Sequence, residues 1–165
     1  MAWIWRIGGN PKSSGGCGQI GARPRILKVM IRSASAVWHG DLKSGNGEVE
    51  TQSGAVKIPY SFKTRFVDEV GTNPEELIAA AHASCFSMAL SAQLGERGIT
   101  PESVETSVQI TFENLTLSKS HLDVTVTAPG ADQAKFEEAA AAAKAGCPIS
   151  KVLNLEITLD AKLNA

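Results

Sequence analysis

Two of the three cysteines lie in strongly patterned segments, and cysteine is the side chain here best suited to chemistry. Cys85 lies in the middle of a long apolar stretch, and Cys147 begins the segment CPIS. A thiolate is a nucleophile, and in a reducing compartment two partnered cysteines are more often catalytic or redox-active than structural. An odd, sparse set of three does not make the disulfide framework of a small secreted protein. We therefore expect a reducing, cytoplasmic compartment.

Two side chains could assist Cys85. His82 lies three residues earlier on the same helical face and could form a Cys–His pair. Arg65, in a stretch predicted to be extended, is the other candidate cation. Because Cys85 is predicted to lie in the middle of a helix, the helix N-terminus does not stabilise its thiolate, and burial would raise its pKa. An inert core cysteine and a hydrogen-bonded core histidine are the commoner outcomes, so the residues alone leave both alternatives open.

Other kinds of site find little support. The three histidines, His39, His82 and His121, fall in separate predicted elements, and the chain has no C-x-x-C pair, so no metal site is predicted. No glycine-rich loop joins a strand to a helix with phosphate-binding spacing. The formal net charge of −1 gives no reason to expect nucleic acid or a membrane surface as a partner. We expect no cofactor.

The stretch from Asn73 to Leu94 must position Cys85. It begins with an N-cap asparagine, a proline at the first helical position and a capping-box Glu76. From Leu77 onward it has no formally charged residue, so a helix here is expected to be buried on every side. Its length approaches that of a membrane span, but its alanine and serine content and its lack of aromatic belts favour a central packing helix.

Strands are predicted on both sides of this helix. Turn signals at 44–47 and 53–54 divide residues 33–66 into three extended segments, which predicts an antiparallel meander with Pro59 on an edge strand or at a bulge. After the helix, alternation of apolar and polar residues from Val104 to Phe112 and from Leu122 to Ala128 predicts a β-hairpin with one buried face.

The C-terminal third predicts two helices and a last strand. Asp132 is positioned to cap an alanine-rich helix that Gly146 ends, and Pro148 begins a short second helix. Residues 156–163 alternate strictly, as a strand does. The order βββ-α-ββ-α-α-β predicts an α+β fold.

Residues 1–29 differ from the rest of the chain. They contain five basic residues and no acidic one, and they are rich in glycine and serine. They have neither the apolar run of a secretory signal nor the unbroken amphipathic helix of a transit peptide. We expect a disordered or irregular extension at 1–29, with Cys17 inactive, and a single domain at 30–165 for which Met30 is a candidate start.

The segments TRFVDEVGTNPEELIAAAHASCFSMALSAQLGE and AKAGCPISKVLNLEITLDAKL together resemble the osmotically inducible protein C (OsmC) branch of the OsmC/Ohr hydroperoxide reductases. The resemblance runs from about residue 33 to the end. It implies an OsmC-like fold with antiparallel sheets around a central buried helix, in an intertwined homodimer. It also implies a thiol-dependent peroxidase that prefers organic hydroperoxides and is recycled by an external dithiol, in the family a lipoyl-bearing protein.

The resemblance also implies roles for four residues. Cys85 matches the peroxidatic cysteine, Cys147 the resolving cysteine, Arg65 the activating arginine and Glu75 the glutamate that orients it. This fits the chemistry, because a guanidinium is permanently charged and a glutamate can hold it through two hydrogen bonds. Phe86 and Met88, beside Cys85, are expected to favour an alkyl group near the thiol. A cysteine hydrolase using Cys85 and His82, and a non-catalytic binding module on the same fold, are the alternatives.

Helix geometry adds an expectation about assembly. Glu75 and Cys85 are ten residues apart, which is a rise of about 15 Å along a helix. A glutamate side chain cannot span that distance, and it leans toward the helix N-terminus, away from Cys85. Glu75 is therefore expected to serve Cys85 of a second chain in a twofold dimer. Small residues would let the two helices approach closely: Ala79, Ala80, Ala81 and Ala83.

Overall fold

The computed structural model describes residues 29–67 and 69–165. Residues 33–165 contain ten helices and strands, in an order that keeps the predicted succession and adds one short helix. They are β1 (Ala34–His39), β2 (Asn46–Thr51), β3 (Lys57–Ser61), α1 (Phe62–Phe66), α2 (Pro74–Glu96), β4 (Ser103–Glu113), β5 (Thr116–Thr127), α3 (Gln133–Gly146), α4 (Pro148–Val152) and β6 (Glu156–Asn164). The α+β prediction is confirmed.

The first three strands form the predicted antiparallel meander, in the order β1-β2-β3. Pro59 lies on β3, an edge strand, where a residue without an N–H costs no internal ladder bond. In these three strands Gly47 is the one buried residue. Each face of this sheet is therefore left largely uncovered by the described part of its own chain.

The segment that contains Arg65 is a helix, so the prediction of an extended chain as far as Phe66 is wrong. Strand β3 ends at Ser61, whose hydroxyl accepts the N–H of Thr64, while the Ser61 N–H donates to the Thr64 hydroxyl. This reciprocal capping box starts α1. Sequence reasoning missed the Ser-x-x-Thr spacing, and the consequence is that Arg65 is displayed from a helical turn.

Helix α2 spans the predicted stretch, and Asn73 caps it by accepting the N–H of Glu76 at 2.8 Å. The expectation of burial on every side is wrong for the single chain. One stripe at four-residue spacing is buried against β4 and α3, and it consists of His82, Phe86, Leu90 and Leu94. Other faces are exposed, with Met88 75% accessible. By length and composition α2 could span a membrane, a test that core helices of globular proteins also pass.

The second sheet has the order β4-β5-β6. Strands β4 and β5 are antiparallel and joined by Asn114 and Leu115, both with positive φ, in a turn shorter than the sequence suggested. Strand β6 pairs with β5 in parallel, so the expectation of purely antiparallel sheets is wrong. The cause is the connection: α3 and α4 cross from the end of β5 back to its start.

The core lies between the second sheet, α2 and α3. Its largest fully buried side chains include Phe86, Leu90, Leu94, Leu122 and Phe136. Cys147 is also fully buried at the edge of this cluster, and Cys85 packs against it while remaining partly exposed. The core thus holds both cysteines on rigid elements.

Candidate active site

The fold brings two cysteines from distant parts of the chain into contact. Cys85 is in the middle of α2, and Cys147 is the N-cap residue of α4. Their Sγ atoms are 3.4 Å apart, and both thiols are free. Because Cys85 is partly exposed and Cys147 is fully buried, a reagent from solvent meets Cys85 first. A small movement would convert this contact into a disulfide.

The surroundings act on the two thiols in opposite directions. Burial raises the pKa of Cys85, the Ile149 N–H opposes this, and the neighbouring Cys147 thiol raises it further. For Cys147, burial alone would also raise the pKa, but donors from Ser150, Cys85 and Ile149 outweigh it and leave the pKa lowered. Within one chain, then, Cys85 needs an added cation to become the thiolate.

Arg65 and Glu75 form a second, separate pair. Arg65 donates through Nη2 to Glu75 Oε1 at 2.7 Å and through Nε to Oε2 at 3.1 Å. The guanidinium also lies over the rings of Phe66 and Phe112, at 5.1 and 5.0 Å from their centroids. A two-bond carboxylate pair with aromatic contacts holds the guanidinium in one orientation.

The Arg65–Glu75 pair lies far from Cys85 of the same chain. Glu75 is in the first turn of α2, a rise of about 15 Å before Cys85. Ser87, two residues after Cys85 in α2, donates its hydroxyl to Thr106 on β4. Phe112, under the guanidinium, lies six residues or about 20 Å further along that strand. The four candidate residues therefore form two pairs at separate places in one chain.

His82 makes no pair with Cys85. Its ring is fully buried, with Nδ1 2.8 Å from the Ser120 hydroxyl and Nε2 2.8 Å from the Ser150 hydroxyl. Burial lowers the pKa of His82, so the ring is neutral near pH 7. Sequence reasoning missed Ser150. The sequence signal that could have found Ser150 is its spacing. It lies three residues after Cys147, at the start of a helix that begins with proline, and residues at that spacing interact in helix caps.

An apolar cleft of about 220 Å³ opens beside Arg65. It is lined by Trp38, Leu42, Tyr60, Ser61, Phe62, Arg65, Phe66 and Pro74. The expectation that Phe86 would contact an alkyl group near the thiol is wrong, because Phe86 is fully buried in the core. The exposed apolar surface that could contact a ligand therefore lies beside Arg65.

The second sheet also brings two residues of β5, His121 and Asp123, together with Asp160 of β6. His121 Nε2 is 3.4 Å from Asp123 Oδ1 and 3.7 Å from Asp160 Oδ2. The other ring nitrogen, Nδ1, is 2.7 Å from the Thr158 hydroxyl. Both carboxylates are well exposed, as on an ordinary solvated sheet face, and we assign this cluster no role.

An α+β scaffold that holds two thiols in contact defines a thiol-based redox protein. The family model of OsmC-like proteins matches residues 67–162. Peroxiredoxin OsmC of Escherichia coli is 48% identical over 139 residues, covering 81% of this chain and 97% of that protein. Organic hydroperoxide resistance protein-like 1 of Staphylococcus saprophyticus is 31% identical over 121 residues, covering 70% of this chain and 86% of that one.

Solved structures share the fold. An organic hydroperoxide resistance protein OsmC from Legionella pneumophila aligns with a TM-score of 0.60 at 24% identity, covering 84% of this chain and all of that one. An OsmC-like protein from Vibrio cholerae aligns with a TM-score of 0.68 at 18% identity, covering 81% and 99%. The chain belongs to the OsmC family, and it is a peroxiredoxin-like enzyme.

Proposed function

We propose that this protein reduces organic hydroperoxides to alcohols, with Cys85 as the attacking thiol and Cys147 as the resolving one. The observation that carries the proposal is the 3.4 Å separation of the two Sγ atoms, with Cys85 accessible and Cys147 buried behind it. The peroxiredoxin and hydroperoxide resistance names of the relatives support the substrate class. The setting we propose is the cytoplasm, with no nucleic acid and no membrane as partner.

The proposed reaction proceeds in three steps: attack on the peroxide, formation of a disulfide, and reduction of that disulfide. The Cys85 thiolate attacks one peroxide oxygen, the O–O bond breaks, and the alkoxide leaves as alcohol after taking a proton, which makes Cys85 a sulfenic acid. The Cys147 thiolate then attacks the Cys85 sulfur, so that an S–S bond forms and hydroxide leaves as water. An external dithiol reduces the disulfide by exchange, and a lipoyl-bearing protein is the reductant we propose.

Arg65 is proposed to supply the positive charge that Cys85 lacks. A guanidinium near the thiolate lowers the pKa of the thiol and can donate hydrogen bonds to the peroxide oxygens. Glu75 positions the guanidinium through its two hydrogen bonds. Since this pair is distant from Cys85 in its own chain, we propose that it serves Cys85 of a partner chain in a homodimer.

Two uncovered surfaces support the homodimer. The β1-β2-β3 sheet has one buried residue, and such a sheet is not stable without a covering layer. Helix α2 presents Ala80, Ala81 and Ser84 as exposed small residues, with Met88 beyond them. A second copy of the chain would cover the sheet and let the two central helices approach closely.

The hydrolase alternative finds no support in the geometry, because both nitrogens of His82 are engaged by serine hydroxyls. The binding-module alternative is tested by a peroxidase assay with dihydrolipoamide as reductant. A binding module would consume no peroxide. Turnover that requires both peroxide and dithiol would establish that the protein is a thiol-dependent peroxidase.

The first prediction concerns the substrate. Cumene hydroperoxide is expected to show a kcat/KM at least about tenfold above that of hydrogen peroxide, because the apolar cleft beside Arg65 can bury its aromatic group. Leu42→Ser should lower kcat/KM for cumene hydroperoxide and leave the value for hydrogen peroxide unchanged, since Leu42 lines the cleft and is 66% exposed. Equal values for the two peroxides would contradict this assignment of the cleft.

The second prediction concerns the boundary of the domain. We propose that residues 30–165 form the complete peroxidase domain, because every described helix and strand lies after Ser33. Deletion of residues 1–29 should leave the midpoint of thermal unfolding within about 2 °C of the full-length value, since the described core is built from residues after Ser33. Activity should be unchanged. A large drop in either quantity would show that these residues pack on the domain.

A further inference from the structure

A buried row of polar groups lies behind Cys147 and is not used by the steps above. Ser120 on β5, His82 on α2 and Ser150 on α4 are joined by two hydrogen bonds of 2.8 Å. His82 and Ser120 are fully buried, and Ser150 is 8% exposed. Burying three polar side chains costs stability unless each is paired, and an apolar residue could fill the same space.

The row ends in the same helical turn as Cys147. Ser150 lies at the third position of α4, whose N-cap residue is Cys147, so both share the first turn. An N-cap side chain and the residue at the third helical position lie on the same side of the first turn, and the Ser150 N–H and hydroxyl oppose burial and lower the pKa of Cys147. The Cys147 sulfur in turn touches Cys85 at 3.4 Å. The polar groups thus connect β5 through α2 and α4 to the pair of thiols.

The number of hydrogen atoms on each group determines which group donates in each hydrogen bond of the row. A serine hydroxyl has one hydrogen, so when Ser150 donates to a thiolate it must accept from His82 Nε2–H. The neutral ring then has a bare Nδ1, which accepts the hydroxyl hydrogen of Ser120. Donation therefore runs from Ser120 to His82, to Ser150 and to Cys147, and each bond strengthens the next.

We propose that His82 and Ser150 are positioning residues for the resolving step, holding Cys147 as a thiolate aimed at the sulfur of Cys85. The proposal rests on the proposed function. In this step the Cys147 thiolate donates an electron pair to the sulfenic sulfur, the S–S bond forms and the S–O bond breaks. Hydroxide leaves to solvent, where it becomes water by taking up the proton that Cys147 released on ionisation. His82 stays neutral throughout and transfers no proton.

Charged and titratable groups around Cys147 come from three elements. Cys85 contacts it from α2, and His82 reaches it through Ser150. Lys144 of α3 and Lys151 of α4 border the cleft that Ser150 also lines.

Ser150→Ala tests the proposal. The rate of disulfide formation after one equivalent of peroxide, followed by rapid quenching and alkylation, should fall about threefold to tenfold at pH 7. Peroxide consumption in the first turnover should fall less. The pH midpoint of the disulfide step should move upward, because loss of the hydroxyl donor raises the pKa of Cys147. Ser150→Thr, which keeps the hydroxyl, should restore the wild-type midpoint.

Ser120→Ala is the matched control, since it removes another buried hydroxyl from the same row without touching Cys147. It should shift the midpoint less than Ser150→Ala does. Disulfide formation in Ser150→Ala at the wild-type rate, or slower with an unchanged pH midpoint, would overturn the proposal.

A second measurement does not depend on peroxide chemistry. In a Cys17→Ser, Cys85→Ser background, the thiolate absorbance of Cys147 near 240 nm gives its pKa directly, and both Ser150→Ala and His82→Phe should raise that pKa. No rise in either variant would also overturn the proposal. If the wild-type protein consumed no peroxide, the proposed function would fail. The titration would still test whether the hydrogen-bonded row lowers the pKa of Cys147.

Discussion

Cys85→Ser is expected to abolish the first turnover of organic hydroperoxide, whereas Cys147→Ser is expected to complete one turnover and then stop. The reason is accessibility: Cys85 is the partly exposed thiol, and Cys147 is fully buried behind it. Only the first sulfur can reach the peroxide oxygen. With enzyme in excess of cumene hydroperoxide, the residual peroxide after mixing measures this directly.

The product state in Cys147→Ser supplies the control. Without the resolving thiol, the Cys85 sulfenic acid should persist and, with further peroxide, become sulfinic acid, adding the mass of two oxygens to the peptide that contains Cys85. Wild-type protein should instead show a Cys85–Cys147 disulfide. Equal loss of the first turnover in the two variants would refute the division of roles.

A 1:1 mixture of Arg65→Met and Cys85→Ser chains, unfolded and refolded together, is expected to regain about a quarter of wild-type activity although each variant alone is nearly inactive. Arg65 and Glu75 lie in one chain, at a distance of about 15 Å along α2 from that chain's Cys85. In a mixed dimer, Arg65 of one chain would serve Cys85 of the other. Half of the dimers would then hold one complete site.

The double variant Arg65→Met, Cys85→Ser, refolded with wild-type chains, is the opposing control. If sites are shared between chains, Cys85 of the wild-type chain meets the methionine that replaces Arg65 in the variant chain. Arg65 of the wild-type chain meets the serine that replaces Cys85, so heterodimers should be inactive. If each site lies within one chain, the wild-type subunit should keep its activity in the heterodimer. Recovery in this mixture and none in the first would show that Arg65 acts within its own chain.

The cause of these losses can be measured separately. Arg65→Met should raise the pKa of Cys85, because the variant lacks the nearby positive charge that favours the thiolate. Because the thiolate is the reactive form, activity at pH 7 should fall and be partly regained as the pH is raised. His82→Gln should leave the pKa of Cys85 nearly unchanged, since His82 bonds Ser120 and Ser150 instead.

The sequence by itself determined most of the secondary structure. Local signals were sufficient for the Asn73 and Asp132 caps, for the alternating strands and for the short proline-led helix before β6. The missed helix α1 shows the limit of this method, because five residues have no hydrophobic period and only the Ser61–Thr64 capping box marks them. The resemblance of two segments to one family named Arg65, Glu75, Cys85 and Cys147 as candidates.

Only the tertiary structure decided which of these candidates meet. Spacing along the chain says nothing about a contact between residues 62 positions apart, such as that of Cys85 with Cys147. Nor does spacing reveal Ser150, which matters because α4 turns it toward His82. Parallel pairing of β6 likewise followed from the path of α3 and α4. Such contacts arise from the packing of whole elements, which no short stretch of residues encodes by itself.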